Sequence, residues 1–340
     1  MQDHPYEGIP FLSKVGLMLT YQCKLACPHC LVKSTNDGIE EMSLTLAHQW
    51  LDQLSAFKKG FTSNISLSGG ESFCNLPYLL NIATYAYQLG FVVSVNTNAI
   101  WATSKEEALR VLQLCFSIQT ITVHTNVQQQ KQIPFEHVKN AIWAANKLEK
   151  SYQIEIDTDN KDSREYHQLM NHILQIASAE QVNVNYILPM EMMFHQFQNN
   201  NNKHSLPPPQ AACAKACFPI IYPDGNVIAC KGAPTHLPDF HPLFLGNLNR
   251  NTLYHIFEKA ESNFMLHAIR NWGPKGLVQL IKDSGYSQIL PNYYQEDANC
   301  NICYKLFANN IICEALKDLI EKEEGMGGQL NWGMDNLKME

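Results

Sequence analysis

Cys23, Cys27 and Cys30 fall within eight residues, in the run Tyr-Gln-Cys-Lys-Leu-Ala-Cys-Pro-His-Cys. Thiolates this close can converge on one metal centre, and soft sulfur ligands select zinc, copper(I) or iron–sulfur clusters. Three ligands leave a coordination position open. An open position has no use on a structural zinc ion. On a [4Fe–4S] cluster it leaves one iron free to bind a substrate or cofactor. Zinc stays as the alternative, with His29 available as a ligand, although zinc sites usually pair one C-x2-C with a second further on.

A second group of cysteines lies late in the chain: Cys213, Cys217, Cys230, Cys300, Cys303 and Cys313. Cys217 and Cys230 flank a stretch that reads as a hairpin, with Pro223-Asp224-Gly225-Asn226 as its turn. A hairpin brings its ends together, and Cys300 and Cys303 form a C-x2-C knuckle ahead of a helix of about twenty residues. The two pairs can close a four-cysteine site for zinc or an iron–sulfur cluster. Cys213 and Cys313 are spare or rival ligands. Cys74 and Cys115 read as ordinary buried thiols.

The elements that must position these residues alternate. Strands are expected at residues 15–20, 63–68, 91–96, 120–124, 153–158 and 182–188. Helices are expected from Ser43, from Asn75 to Gly90, and over 104–116, 134–150 and 163–181. Ser104 with Glu107 reads as a capping box and Ser163 as an N-cap. Strand–helix alternation implies a parallel sheet, and right-handed crossovers curl it into a partial barrel. Sites in such sheets lie at the C-terminal strand ends. That rule picks out Asn98, His124, Asp157, Asp159 and Glu191.

Beyond the sixth strand, Asn199–Asn202 and Pro207–Pro209 mark a linker. The expected division is residues 1–198 as the barrel, 199–212 as the linker, 213–322 as a small cysteine-rich α+β domain, and 323–340 as a frayed tail. The 340 residues carry a formal charge of −7, which argues against a nucleic-acid partner. No apolar run is long enough to cross a membrane, and no signal peptide is evident. A cytoplasmic, reducing location is therefore expected.

C-x3-C-x2-C after a first strand, followed one strand–helix–strand unit later by Gly69-Gly70-Glu71, resembles the radical S-adenosylmethionine (SAM) enzymes. That resemblance implies a (β/α)6 partial TIM barrel. It implies a [4Fe–4S] cluster on Cys23, Cys27 and Cys30, whose fourth iron chelates the methionine part of SAM. Gly69, Gly70 and Glu71 would contact the methionine amino group. His29 would pack against adenine, and Asn98 and His124 would lie near the cofactor. The late cysteines, with Gly246-Asn247-Leu248 and the helix residues Leu253 and Ile256, resemble the SPASM or twitch extension. That implies one auxiliary [4Fe–4S] cluster on Cys217, Cys230, Cys300 and Cys303.

The function expected is reductive cleavage of SAM to a 5′-deoxyadenosyl radical, which abstracts a substrate hydrogen. The substrate is expected to be a ribosomally made peptide, oxidatively modified, with Asp157, Asp159 and Glu191 as acid/base groups. A radical dehydrogenase acting on a small natural-product intermediate is the rival, and a non-catalytic zinc-stabilised binding protein is the alternative of another class. A flavodoxin or ferredoxin would supply the electron.

Overall fold

The computed structural model describes residues 12–25, 27, 30, 41–57, 62–186, 213, 216, 218–231, 237–290 and 299–327. His29, Glu191, Cys217 and the Asn- and Pro-rich linker lie outside them. The first unit runs β1 (Lys14–Met18), α1 (Leu44–Ala56), β2 (Asn64–Ser68), α2 (Leu76–Gln88), β3 (Val92–Thr97) and α3 (Lys105–Leu114). It continues with β4 (Thr120–Thr125), α4 (Phe135–Lys147), β5 (Ser151–Thr158), α5 (Arg164–Ile173) and β6 (Val182–Tyr186). The later segment adds β7 (Ile220–Ile221), β8 (Asn226–Ile228), β9 (Phe244–Asn247), α6 (Leu253–Glu261), α7 (Phe264–Asp283), α8 (Asn299–Phe307) and α9 (Asn310–Gly327).

Side-chain caps start several of the helices. Ser104 Oγ accepts the Glu107 N–H at 3.1 Å and Ser163 Oγ accepts the Tyr166 N–H at 3.2 Å. The capping box expected at Ser104 is only half made, because the Glu107 carboxylate pairs with Arg110 at 2.7 Å instead. The helix expected over 163–181 ends at Ile173. A separate 3-10 turn, Ala179–Gln181, carries its own capping box from Ser178.

β1 to β6 pair in parallel in chain order. Side chains alternate across a strand. Val15, Leu17, Ile65, Leu67, Val93, Val95, Ile121, Val123, Ile154 and Ile156 are buried together with the helices. The other face is polar: Ser66, Ser68, Ser94, Asn96, Thr122, His124, Glu155, Asp157, Asn183 and Asn185.

The later strands join the same sheet. β7 pairs parallel with β1, and β8 and β9 follow antiparallel, giving the order β6-β5-β4-β3-β2-β1-β7-β8-β9. Gly225 takes φ +82 in the β7–β8 turn, a conformation glycine reaches without strain. The sheet is strongly curled. β5 and β8 are six interstrand steps apart, roughly 29 Å in a flat sheet. Yet Lys231, just beyond β8, holds a salt bridge to Glu155 of β5 at 2.8 Å. The described strands therefore wrap around a polar interior, as a partial barrel requires.

Helices of the later segment pack on the barrel's outside. Phe57, after α1, meets Phe257 and Tyr254 of α6 edge-on, and Gln53 Oε1 accepts the Leu253 N–H at 3.2 Å. α7 kinks at Gly273, φ +69, ahead of Pro274. Cys300 and Cys303 lie inside α8 rather than in a knuckle before a helix.

Candidate functional site

The loop that carries the three cysteines is laced to the Gly-Gly-Glu segment by backbone hydrogen bonds. Leu19 N–H donates to Ser68 O at 2.7 Å, Gly70 N–H to Thr20 O at 2.8 Å and Glu71 N–H to Gln22 O at 2.8 Å. A Cβ on Gly69 would stand 3.1 Å from both Thr20 Cγ2 and Thr20 O. The close approach that needs this glycine is to the cysteine loop itself.

Glu71 is 1% exposed. Its Oε1 accepts from Thr97 Oγ1 at 2.8 Å and from the Phe73 N–H at 3.1 Å, and its Oε2 accepts from the Asn98 N–H at 2.7 Å. Loss of water pushes its carboxyl up to about 7, against the pull of these three donors. Asn98 extends the chain of contacts. Its Nδ2 donates to Cys23 Sγ at 3.7 Å, while its Oδ1 accepts the Ile100 N–H at 3.0 Å. Trp101 Nε1 donates to Thr97 Oγ1 at 2.9 Å and stacks on Phe73 at 4.5 Å between ring centroids. The first cysteine, the end of β3 and Glu71 thus form one hydrogen-bonded unit.

Cys23 is buried, and its Sγ accepts the Leu25 N–H at 3.4 Å. Desolvation raises its thiol to about 12. Desolvation also raises Cys27, although a Gln129 side-chain hydrogen bond opposes it. Cys23 feels Cys27, Cys27 feels Cys30, and Cys74 stands near Cys23. Among the described residues, no three such groups are arranged to hold a single metal ion. A cubane asks something different, since each thiolate binds its own iron. Two buried atoms in this region have no hydrogen-bond partner: Ser72 Oγ, beside Glu71, and Gln129 Oε1, whose amide reaches Cys27. A buried Cys23 thiol, with unmatched polar atoms beside Glu71 and Cys27, suits a site whose cofactor supplies the remaining partners.

Deeper in the barrel, Glu155 gathers the polar face. Lys231 Nζ lies 2.8 Å from its Oε1, His124 Nε2 3.6 Å from its Oε2, and Asn185 Nδ2 3.4 Å from the same oxygen. Asn185 also donates to Asp157 Oδ1 at 3.3 Å. His124 and Asp157 are therefore brought together through Glu155 and Asn185, whereas Asp159 is exposed beyond the strand end. Glu155, Lys231 and Gln129 were not singled out from the sequence. Glu155 had a signal, because it precedes Asp157 by two residues on the same strand face. Lys231 and Gln129 had none.

The late cysteines also collect. Cys303 is buried, and Cys213, Cys230 and Cys300 all act on its thiol, which burial raises well above its usual range. Cys213 thus joins Cys230 and Cys300 around Cys303; Cys217 lies outside the described residues. Cys313 sits apart from that set, its Sγ donating to Phe307 O at 3.7 Å.

Comparison with known proteins adds three findings. The family model described as "Radical SAM superfamily" matches residues 17–171. A Bacillus subtilis (strain 168) protein named "Putative peptide biosynthesis protein YydG" is 20% identical over 304 residues, covering 86% of this chain and 91% of that protein. A crystal structure of oxaloacetate acetylhydrolase matches at 10% identity and a TM-score of 0.28, over 49% of this chain and 54% of that one, too distant to carry an argument. No described helix is long and apolar enough to cross a membrane.

Proposed function

Starting from a chain that carries a radical SAM domain over residues 17–171 and is thereby an enzyme, we propose that it modifies a peptide. Cys23, Cys27 and Cys30 would hold a [4Fe–4S] cluster, with SAM on the open iron. The observation that carries this is the continuous contact from Cys23 through Asn98 to Glu71. It ties a cluster-ligating thiol to the Gly-Gly-Glu motif, which contacts the methionine amino group in the family this chain resembles. The cluster and SAM, when bound, supply reductive cleavage of the sulfonium C–S bond and a 5′-deoxyadenosyl radical that takes a hydrogen atom from an unactivated C–H bond.

The chain's own groups divide the remaining work. Gly69, Gly70 and Glu71 would receive the methionine end of SAM, and His124, near the end of β4, would help to hold its ribose or carboxylate. Glu155 and Asp157 present carboxylates to the polar interior, where a peptide backbone finds hydrogen-bond partners and acid/base groups. Cys213, Cys230, Cys300 and Cys303 would hold an auxiliary [4Fe–4S] cluster able to take an electron from the substrate. The peptide substrate is supported by the name of the B. subtilis relative, and a flavodoxin or ferredoxin is the electron donor that this chemistry needs.

The test is to incubate anaerobically reconstituted protein with SAM, dithionite and synthetic peptides from short reading frames beside its gene. A peptide that accelerates 5′-deoxyadenosine formation and returns with altered mass or with deuterium from heavy water supports the proposal. If those peptides return unaltered while a small-molecule fraction accelerates the reaction, the peptide assignment fails.

A further inference from the structure

Three buried side-chain polar atoms among the described residues have no hydrogen-bond partner: Ser72 Oγ, Gln129 Oε1 and His241 Nε2. The first two adjoin Glu71 and Cys27, within the site already described. His241 does not. It is 2% exposed, in the segment that leads into β9. Burial lowers its pKa to about 4, so the ring is neutral near pH 7. Its Nδ1 accepts the Leu243 N–H at 3.1 Å. That bond fixes the lone pair on Nδ1 and the proton on Nε2. A buried N–H therefore points at no acceptor, which is destabilising unless something pairs with it.

Its surroundings supply one kind of acceptor. The His241 ring meets Phe307 edge-on at 5.6 Å between centroids. Phe307 follows Cys303 by four residues and Cys300 by seven in α8, so one face of that helix carries all three. On the other side, Leu243 O accepts the Ala229 N–H at 2.8 Å, and Ala229 directly precedes Cys230. His241 is thus held between the cysteine face of α8 and the strand end that delivers Cys230. Cys303 feels Cys230, Cys300 and Cys213.

We propose that His241 donates its Nε2–H to a sulfur of an iron–sulfur cluster held by Cys213, Cys230, Cys300 and Cys303, and thereby raises the reduction potential of that cluster. The inference rests on the auxiliary-cluster reading above. Reduction adds negative charge to the cluster sulfurs, so a fixed donor stabilises the reduced form more than the oxidised form. His241 is a positioning and tuning residue here, with no contact to substrate. Its proton also keeps the auxiliary cluster within reach of an electron leaving an organic radical.

The test uses full-length protein carrying Cys23→Ala, Cys27→Ala and Cys30→Ala, in which only the late cysteines can hold iron. The midpoint potential is read by redox titration followed by electron paramagnetic resonance. His241→Leu, which removes the donor, is expected to keep its iron and shift the midpoint to lower potential. His241→Gln, which restores an N–H, is expected to recover most of the shift. Histidine labelled with nitrogen-15 gives a second readout that does not depend on either variant folding. The reduced cluster should then show a weak nitrogen coupling in its spin-echo spectrum. Equal potentials in all three proteins, or no coupling in the labelled protein, would overturn the proposal for His241 alone. If the triple-alanine background holds no iron, the auxiliary cluster itself fails, and this inference with it.

Discussion

Lys231 Nζ lies 2.8 Å from Glu155 Oε1 and 3.1 Å from Oε2, joining β5 to the segment beyond β8 across the polar interior. The two residues are 76 positions apart. The Glu155 side chain is 12% exposed and that of Lys231 37%, so the pair lies between the surface and buried regimes. Lys231→Met should cost about 1–2 kcal/mol, measured by urea unfolding of the metal-free protein. The charge-reversed double variant, Glu155→Lys with Lys231→Glu, should recover part of that loss. Single and double variants that are strictly additive would show that the contact contributes nothing.

Glu71 predicts a pH dependence whose sign is fixed by its burial. Its carboxyl is raised from an ordinary 4.5 to about 7, so the folded state holds a proton that the unfolded state releases. Stability of the metal-free protein should therefore fall as pH rises from about 4.5 to about 7, and flatten above. Glu71→Gln should remove this slope. It should also lower stability at every pH, because its amide cannot accept the hydrogen bonds that both carboxylate oxygens now take. Unfolding midpoints at pH 5 and pH 8 check this, and an unchanged slope in the variant would count against the assignment.

Gly69→Ala should displace the cysteine loop. The added methyl meets Thr20 Cγ2 and Thr20 O at 3.1 Å, and the backbone oxygen cannot give way by rotation. Iron content after reconstitution should fall to less than about half of the wild-type value. Adding Thr20→Ser removes the Cγ2 contact and should recover only part of it. Full iron occupancy in Gly69→Ala would show that the loop is looser than its three backbone hydrogen bonds indicate.

Asn98 links Cys23 to the end of β3 through two different atoms. Asn98→Ala loses both the Nδ2 donor to sulfur and the Oδ1 acceptor for Ile100. Asn98→Asp keeps the second and replaces the first with charge. Both should lower the potential of the SAM-binding cluster, Asp more than Ala, because a carboxylate beside thiolate disfavours the reduced state. Redox titration with SAM bound reads the order of the two.

Much of this arrangement is legible in the residues. The period-two pattern of Val15, Leu17, Ile65 and Leu67 marks strands whose other face must point inward. The glycines and Glu71 follow β2 as their motif implies. What a sequence does not display is distance across a curled sheet. Nothing near Lys231 announces that its partner is Glu155, because six strand steps separate them until the sheet curls. Nor does the spacing of the late cysteines reveal that β7 continues the barrel sheet beside β1. Cys300 and Cys303 read as a loop knuckle because C-x2-C so often is one, yet the same spacing also fits one turn of helix. Cys213 reads as a spare or rival ligand because the hairpin pairs Cys217 with Cys230, and among the described residues it is Cys213 that acts on Cys303 beside Cys230 and Cys300.

Cys23, Cys27 and Cys30 would hold the cluster at which SAM is cleaved. The most direct measurement is anaerobic reconstitution of wild type and of the Cys23→Ala/Cys27→Ala/Cys30→Ala variant, with iron counted and 5′-deoxyadenosine assayed under dithionite. We expect about eight irons in wild type and about four in the variant, with 5′-deoxyadenosine from wild type alone. Wild-type protein that takes up zinc or no iron and leaves SAM intact would contradict the account.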